Sequence, residues 1–424
     1  MYTLTARRCL AMIGSAVLTA GLFIGSTIAE PRPGSSASQA SSTSSTLSTA
    51  SGSTIISPEH DDGRWLGSWN ASMTLAGGVG TISGDGFADT TLLQSVHMSI
   101  GGESLRVRLA NTYGTGPLEV GAVTVAGGTP VTFHGSEQVT IPAGAEWISD
   151  EVPVNVEPNS DLDVRIYLPG PTGPATTHPL GMATSYRADG NQTAGDESVF
   201  VPLDESRYFL SGVDVTSTAK SSTVFFGDSI TDGRSSTVDA NLRYPDQVAD
   251  QLLQRPTEQQ CGVLNSGISG NRLLENAGMR GASALARFDR DVLARQGVGT
   301  VVLLEGINDI GMTWGEVSVG ELISLHQQLI NRAHDHGLRV VGATLTPYRG
   351  ASYFTETGEK TRQALNEWIR TSGAYDDVVD FDEVIRDTEN PEVVSPSFDP
   401  GDHLHPNDAG YTAMADAVDL DLVC

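Results

Sequence analysis

Ser229 stands in the stretch VFFGDSITDG, Val224 to Gly233, where an apolar run stops at a glycine and a serine follows between two acids. A serine on a tight turn after a strand has two roles open to it. It can cap the helix that follows, or it can be lifted to the carboxyl edge of a sheet and act as a nucleophile. Three further stretches bear on the choice: NSGISGNR, with Gly267 and Gly270; EGINDIG, with Asn308; and DHLHP, with Asp402 and His405. A serine nucleophile needs a base, and a neutral imidazole suits that near neutral pH; His405 is the candidate. The base needs a partner to fix its tautomer and steady its cation, and Asp402 is three residues away, within reach inside one loop. Attack on a carbonyl builds an oxyanion, for which the backbone N–H groups of Ser229 and Gly270 and the side-chain amide of Asn308 could serve as donors. Gly270, with no Cβ, lets the backbone come close. Each residue also has a plainer role. Gly270 could serve a turn and Asn308 a helix cap. Asp402, His403 and His405 could be surface polar groups or, with Asp399 and Asp408, a metal cluster, although a metal site is expected to bring more His or Cys than DHLH offers.

These residues matter together only if one scaffold gathers them. From about Ser221 apolar runs alternate with helical periods. STVFFG precedes NLRYPDQVADQLLQR, in which Leu242, Val248, Ala249 and Leu252 approach helical spacing. CGVLNSG precedes SALARFDRDVLAR, with Leu285, Phe288 and Val292 on one face. GTVVLLEG leads to GELISLHQQLINRAHDHG, LRVVGATLTP to EKTRQALNEWIRTSG, and DDVVDFD, after a long loop, to PNDAGYTAMADAVDLDL. Five strand–helix units with fully apolar strands predict a parallel sheet covered on both faces, with right-handed crossovers. Such sheets bind ligands at the carboxyl ends of their strands. All four polar loops leave that edge.

GDSITDG, GISGN, GIND and DHLHP, in this order, resemble the signature blocks of the SGNH, or GDSL, hydrolase family. The resemblance covers Ser221 to Val423, roughly half the chain. It implies a flavodoxin-like, three-layer α/β/α domain around a five-stranded parallel sheet. It implies a site of Ser229, Gly270, Asn308 and His405 with Asp402 as the triad aspartate, cleaving carboxylic esters through an acyl-enzyme without cofactor or metal. STVDANLRYPD and ARFDRDVLAR resemble a secreted microbial branch that carries an extra β-rich domain ahead of the hydrolase. The G-x-S-x-G elbow of α/β-hydrolases is absent around this serine. The family leaves the substrate open between a carbohydrate O-acetyl esterase acting on polysaccharide and a lipase or lysophospholipase. A reading from another class is a glycan-binding protein with a decayed hydrolase half, against which the intact constellation argues.

The rest of the chain sets the context. Its 424 residues allow two to three domains at roughly 150 residues each. From about Arg64 to Thr216 short alternating strands recur, among them LRVRLAN (Leu105, Val107, Leu109 on one face) and DLDVRIYLPG (Leu162, Val164, Ile166), which suggests a β-sandwich. His97, His134 and His178 have no ligand spacing and are read as ordinary histidines. Arg7 and Arg8, a short apolar stretch from Leu10 to Ile24, and Thr27-Ile28-Ala29 read as a secretion signal, too short to span a membrane comfortably. A Ser/Thr-rich linker follows. The expected organisation is therefore signal 1–29, linker 30–63, β-sandwich 64–217 and hydrolase 218–424. A net charge of −27 repels phosphate backbones and anionic surfaces, so neither nucleic acid nor stable membrane insertion is expected, and the partner is an ester substrate of a secreted, extracellular monomer. Asn70 and Asn191 lie in N-glycosylation patterns. Cys9 falls in the signal. Cys261 opens the second strand at the amino edge of the sheet. A final helix of some fifteen residues, rising about 1.5 Å per residue from the carboxyl edge, would bring Cys424 near it. A disulfide between the two is expected.

Overall fold

The computed structural model describes residues 64–424; the signal and linker read at 1–29 and 30–63 lie outside the described residues. The parallel sheet forms from β1 (Ser221–Gly227), β2 (Cys261–Gly267), β3 (Val298–Leu304), β4 (Arg339–Ala343) and β5 (Asp377–Val379), in the spatial order β2-β1-β3-β4-β5. Every neighbouring pair is parallel. The order reverses at β1, so the loops after β1, β2 and β3 converge at a switch point, where open sheets bind ligands. The principal helices are α1 (Ser229–Asp232), α2 (Tyr244–Leu252), α3 (Val319–Asp335), α4 (Glu356–Thr371) and α5 (Asp408–Asp416). Right-handed crossovers send the helices to two faces. Accordingly α2 packs on α5, and α3 on α4. Phe225, Phe226, Val301, Val302, Leu303, Val340 and Val341 fill the core between them.

Residues 64–217 form antiparallel sheets with a core of their own. One runs Arg64–Asn70, Leu210–Ser217, Leu105–Ala110, Glu146–Ile148; the other Val201–Asp204, Ser185–Asp189, Thr90–Met98, Ser160–Leu168, Ala122–Val125, Thr129–Val131. Strand alternation puts Leu105, Val107 and Leu109 from the first and Leu162, Val164 and Ile166 from the second into that core, as the period-two pattern requires.

Strand Arg64–Asn70 crosses β1 and β2 at very close range. A Cβ on Gly262 would stand 2.2 Å from the Gly67 carbonyl oxygen, and one on Gly67 would stand 2.7 Å from Leu264 Cδ1. The missing side chains let the backbones meet, and Ser222 Oγ donates to the Gly67 carbonyl at 2.9 Å. This seam corrects one expectation. Asn70 is only 5% exposed and its Nδ2 donates to Ser266 Oγ at 2.7 Å, so it is no open glycan acceptor. Asn191 is exposed.

Cys261 and Cys424 form a disulfide with Cα atoms 5.8 Å apart. The route to it differs from the single final helix predicted. Helix α5 ends at Asp416, and a separate turn of helix, Leu420–Val423, capped by Asp419, carries the chain to Cys424. Aspartate offers its carboxylate to backbone N–H groups at helix starts, and here Asp419 accepts from Asp421 N at 2.9 Å.

Candidate active site

The turn after β1 resolves the two roles open to Ser229. The cap is Asp228, whose Oδ1 accepts from Ile230 N at 3.0 Å, and Ser229 is the first helical residue of α1. The serine hydroxyl is thereby free of capping and lies 2.7 Å from His405 Nε2. His405 Nδ1 faces Asp402 Oδ2 at 2.6 Å, so that nitrogen carries the proton and Nε2 presents its lone pair to the hydroxyl. Asp402 Oδ1 also accepts the amides of Leu404 and His405, at 3.0 Å each, which fixes the carboxylate inside its loop. Burial alone would raise the Asp402 pKa, but the hydrogen bonds and charge of His405 hold it well below the usual carboxylate range.

The three oxyanion candidates border the same cleft, a cavity of about 620 Å³ that also meets Asp402 and His405. Among the described residues the amides of Ser229 and Gly270 have no acceptor. Gly270 has φ +78°, which glycine adopts without strain, and a Cβ there would stand 2.8 Å from the Arg280 stem that covers it. Asn308 is not the helix cap; Gly306 holds that position. One hydrogen of Asn308 Nδ2 goes to Asp228 Oδ2 at 3.2 Å, and Tyr353 OH donates to Asn308 Oδ1 at 3.4 Å, leaving the other amide hydrogen unused. Burial raises the Tyr353 pKa, so the phenol stays a donor.

His403 turns to Asp399, 2.6 Å from its Nδ1, while His405 takes Asp402. Among the described residues no three His, Cys, Asp or Glu side chains converge as a metal site, Asp408 included; that residue caps the Thr237 turn instead.

Under the turn lies a buried polar layer. Arg287, fully buried and stacked on Phe226 at 3.9 Å, donates to the Gly227 carbonyl at 2.8 Å, the Ser266 carbonyl at 2.7 Å and Asn271 Oδ1 at 2.9 Å. It also meets Glu305 and Asp291 at 3.3 Å. One guanidinium therefore ties the ends of β1, β2 and β3 together, as its planar fork permits. Burial pushes up the carboxyls of Asp228 and Glu305, and that of Asp309 to about 6. Asp309 accepts Leu273 N at 2.9 Å and so anchors the loop that follows Gly270.

All five site residues read from sequence come together. Arg287, Glu305, Asp309 and Tyr353 escape that reading. A signal exists for the first: Arg287 and Asp291 stand four apart on the face that also carries Ala284 and Phe288, and a charged pair on a buried stripe implies partners inside. His178, read as ordinary, is only 3% exposed and contacts Asp232 of α1.

Residues 225–413 match the family model of the GDSL-like lipase/acylhydrolase family. Among solved structures, a GDSL-like lipase from Bacteroides thetaiotaomicron is 19% identical over 48% of this chain and 88% of its own, with a TM-score of 0.36. A variant of an acetyl xylan esterase from Geobacillus stearothermophilus is 22% identical over 47% and 93%, with a TM-score of 0.37. No curated protein matches the chain. Residues 225–413 are a GDSL-like lipase/acylhydrolase domain, of a family of hydrolases that act on esters.

Proposed function

We propose that the chain is a secreted serine ester hydrolase in which Ser229, His405 and Asp402 form the triad and Ser229 N, Gly270 N and Asn308 Nδ2 the oxyanion hole. The contact series Ser229–His405–Asp402 carries the reading. His405 Nε2 takes the hydroxyl proton as Oγ attacks the ester carbonyl. The imidazolium then forms against a carboxylate already held ionised. The three donors receive the negative charge that develops on the carbonyl oxygen. His405 returns the proton to the leaving alcohol, and water, activated by the same imidazole, releases the acid from Ser229. The disulfide favours an oxidising compartment, in line with the signal read at 1–29.

The cleft wall is mixed, with Ser269, Arg280, Asn308 and Ser352 among its polar groups and Met312, Ala351, Tyr353 and Leu404 as its apolar part. The apolar part is small enough for a short acyl group, and the polar groups beside it suit a polar alcohol, such as an acetylated carbohydrate. A second reading, a lipase, draws on Trp314, 62% exposed, with Met279 and Leu274 also exposed beside the cleft loops, which together offer an apolar rim. A chain-length series of p-nitrophenyl esters, with Ser229→Ala as control, tests both. Preference for acetate is expected. Preference for octanoate or longer would move the assignment to lipids, and no hydrolysis of any ester would overturn the enzyme reading.

A further inference from the structure

His178 belongs to the β-rich region, in the two-residue strand Thr177–His178, yet it reaches the helix that begins with Ser229. Its Nδ1 faces the Ser72 carbonyl at 2.8 Å. Its Nε2 faces Asp232 Oδ1 at 2.9 Å and the Leu180 carbonyl at 3.1 Å. Every one of these partners is an acceptor. A neutral imidazole would turn a lone pair on one of them, at a buried position where an unmatched pair is costly. Both nitrogens therefore carry protons, and the ring pairs with Asp232 as a cation.

The other oxygen of Asp232 continues the connection. Asp232 Oδ2 accepts Ser269 N at 2.8 Å, and the next amide is that of Gly270. Asp232 thus joins the nucleophile helix to the oxyanion loop, and His178 holds Asp232 from behind. The charged groups facing the ring are Asp232 from α1 and Arg243 from the start of α2, while Arg207 is its cross-strand neighbour. Burial and Arg243 oppose the cation; the charge and hydrogen bond of Asp232 outweigh them and raise the pKa above the ordinary 6.5.

We propose that His178 is a positioning residue supplied by the β-rich region: as a cation it fixes Asp232, and through it the Ser269–Gly270 amides beside Ser229. The proposal rests on the ester-hydrolase reading for its effect on turnover, but not for its protonation state. When the ring loses a proton it leaves from Nδ1, because Asp232 holds the one on Nε2; the lone pair then faces the Ser72 carbonyl, the pair with Asp232 loses its cation, and the brace on the oxyanion loop loosens. Turnover of the wild-type protein should therefore fall on the alkaline side as His178 deprotonates.

The test uses the whole chain and p-nitrophenyl acetate. His178→Gln keeps a polar side chain but cannot donate from two ends as a cation. It should lower kcat roughly 10- to 100-fold with KM little changed, the scale of a misplaced reacting group, and should lack the alkaline limb assigned to His178. Asp232→Asn, which keeps an acceptor for Ser269 N and can donate to a neutral His178, should retain more turnover than His178→Gln and also lose that limb. Unchanged kcat in His178→Gln, or the same alkaline limb in both variants, would overturn the proposal. Nitrogen chemical shifts of histidine-labelled wild-type protein give a reading independent of catalysis and of variant folding. Two protonated ring nitrogens on His178 at pH 7 are expected; a neutral tautomer there overturns the proposal even if the enzyme is active. If no ester is hydrolysed but the ring is doubly protonated, the enzyme reading fails and the ion pair stands.

Discussion

The α/β half and the β-rich half have separate cores, and they relate to the candidate site in different ways. The α/β half brings every atom of the proposed triad from loops at one sheet edge. The β-rich half approaches the polar layer under the Ser229 turn from behind, through His178 on Asp232, Ser72 on Arg287 and Asn70 on Ser266. Proposed chemistry and support are thus divided: one half holds the proposed reacting groups, and the other takes up buried polar groups that the first leaves facing outward. The division implies a ranking of effects. Changes at the edge should act on turnover with little effect on folding, whereas changes at the seam or the sheet bottom should act on stability first.

The sharpest test of that ranking is Ser229→Ala. It should lower ester turnover by about 10⁶-fold, because triad members act as a unit, and His405→Ala should do nearly the same. Ser229→Ala should keep the wild-type melting temperature, since the hydroxyl gives up only its bond to His405, and both variants should stay folded. Residual turnover near wild type in either variant would break the comparison at its centre. Asn308→Ala comes next. Loss of one oxyanion donor should cost about 10²–10³ in kcat, visible in initial-rate kinetics with KM little changed. A pure KM effect would make Asn308 a binding residue instead. Chelator treatment should leave the wild-type rate unchanged, as expected if the proposed triad and oxyanion donors do the chemistry.

How far each half could be read from sequence follows from where its constraints lie. Ser229, Gly270, Asn308, Asp402 and His405 stand in short blocks because each must leave a strand end within a few residues, so local spacing reports them. The five parallel strands were legible because a strand buried on both faces reads as an unbroken apolar run. The sandwich was legible as alternation, but not its two sheet orders, which depend on pairings between distant strands. His178 and Asp232 lie 54 positions apart, and Arg287 and Ser72 lie 215 apart. Nothing local marks such pairs. Asn70 failed for the same reason: its sequence pattern is intact, and only the crossing of its strand over β2 buries it.

The disulfide tests the support side of the division. It closes a separation of 163 residues and ties the end of the chain to the amino edge of the sheet, away from the cleft. Replacing both cysteines, Cys261→Ser with Cys424→Ser, should cost about 2–4 kcal/mol of stability, measured by urea denaturation. Turnover at 25 °C should stay within a few fold. A large loss of kcat at full folding would show that the tether reaches the His405 loop, and the two functions would then not be separable.

The smallest effect concerns protons under the turn. Asp309 is buried, and its carboxyl is pushed up to about 6 from 3.8. A folded-state pKa above the unfolded one means the folded protein binds the proton more tightly. The stability this confers is complete below about pH 4 and is lost as pH rises through 6. Asp228 and Glu305, also pushed up by burial, act in the same direction, and so does the cationic His178 at higher pH. Asp291 runs the other way. Burial works against its charge, yet Arg290 and Arg287 bring its pKa down to about 2, so its contribution is present above about pH 4 and lost below. The wild-type melting temperature should therefore be highest near pH 4 and fall by a few degrees between about pH 4 and 7, on the order of 2 kcal/mol. Asp309→Asn keeps an acceptor for Leu273 N while removing the charge. It should melt above wild type at pH 8, match it near pH 4, and show a flatter profile by calorimetry. A wild-type profile level from pH 4 to 7, or a variant that falls as steeply, would mean that water or a rearranged Arg287 neutralises the layer. The ends of β1, β2 and β3 would then be held by something other than the charges now seen beneath Ser229.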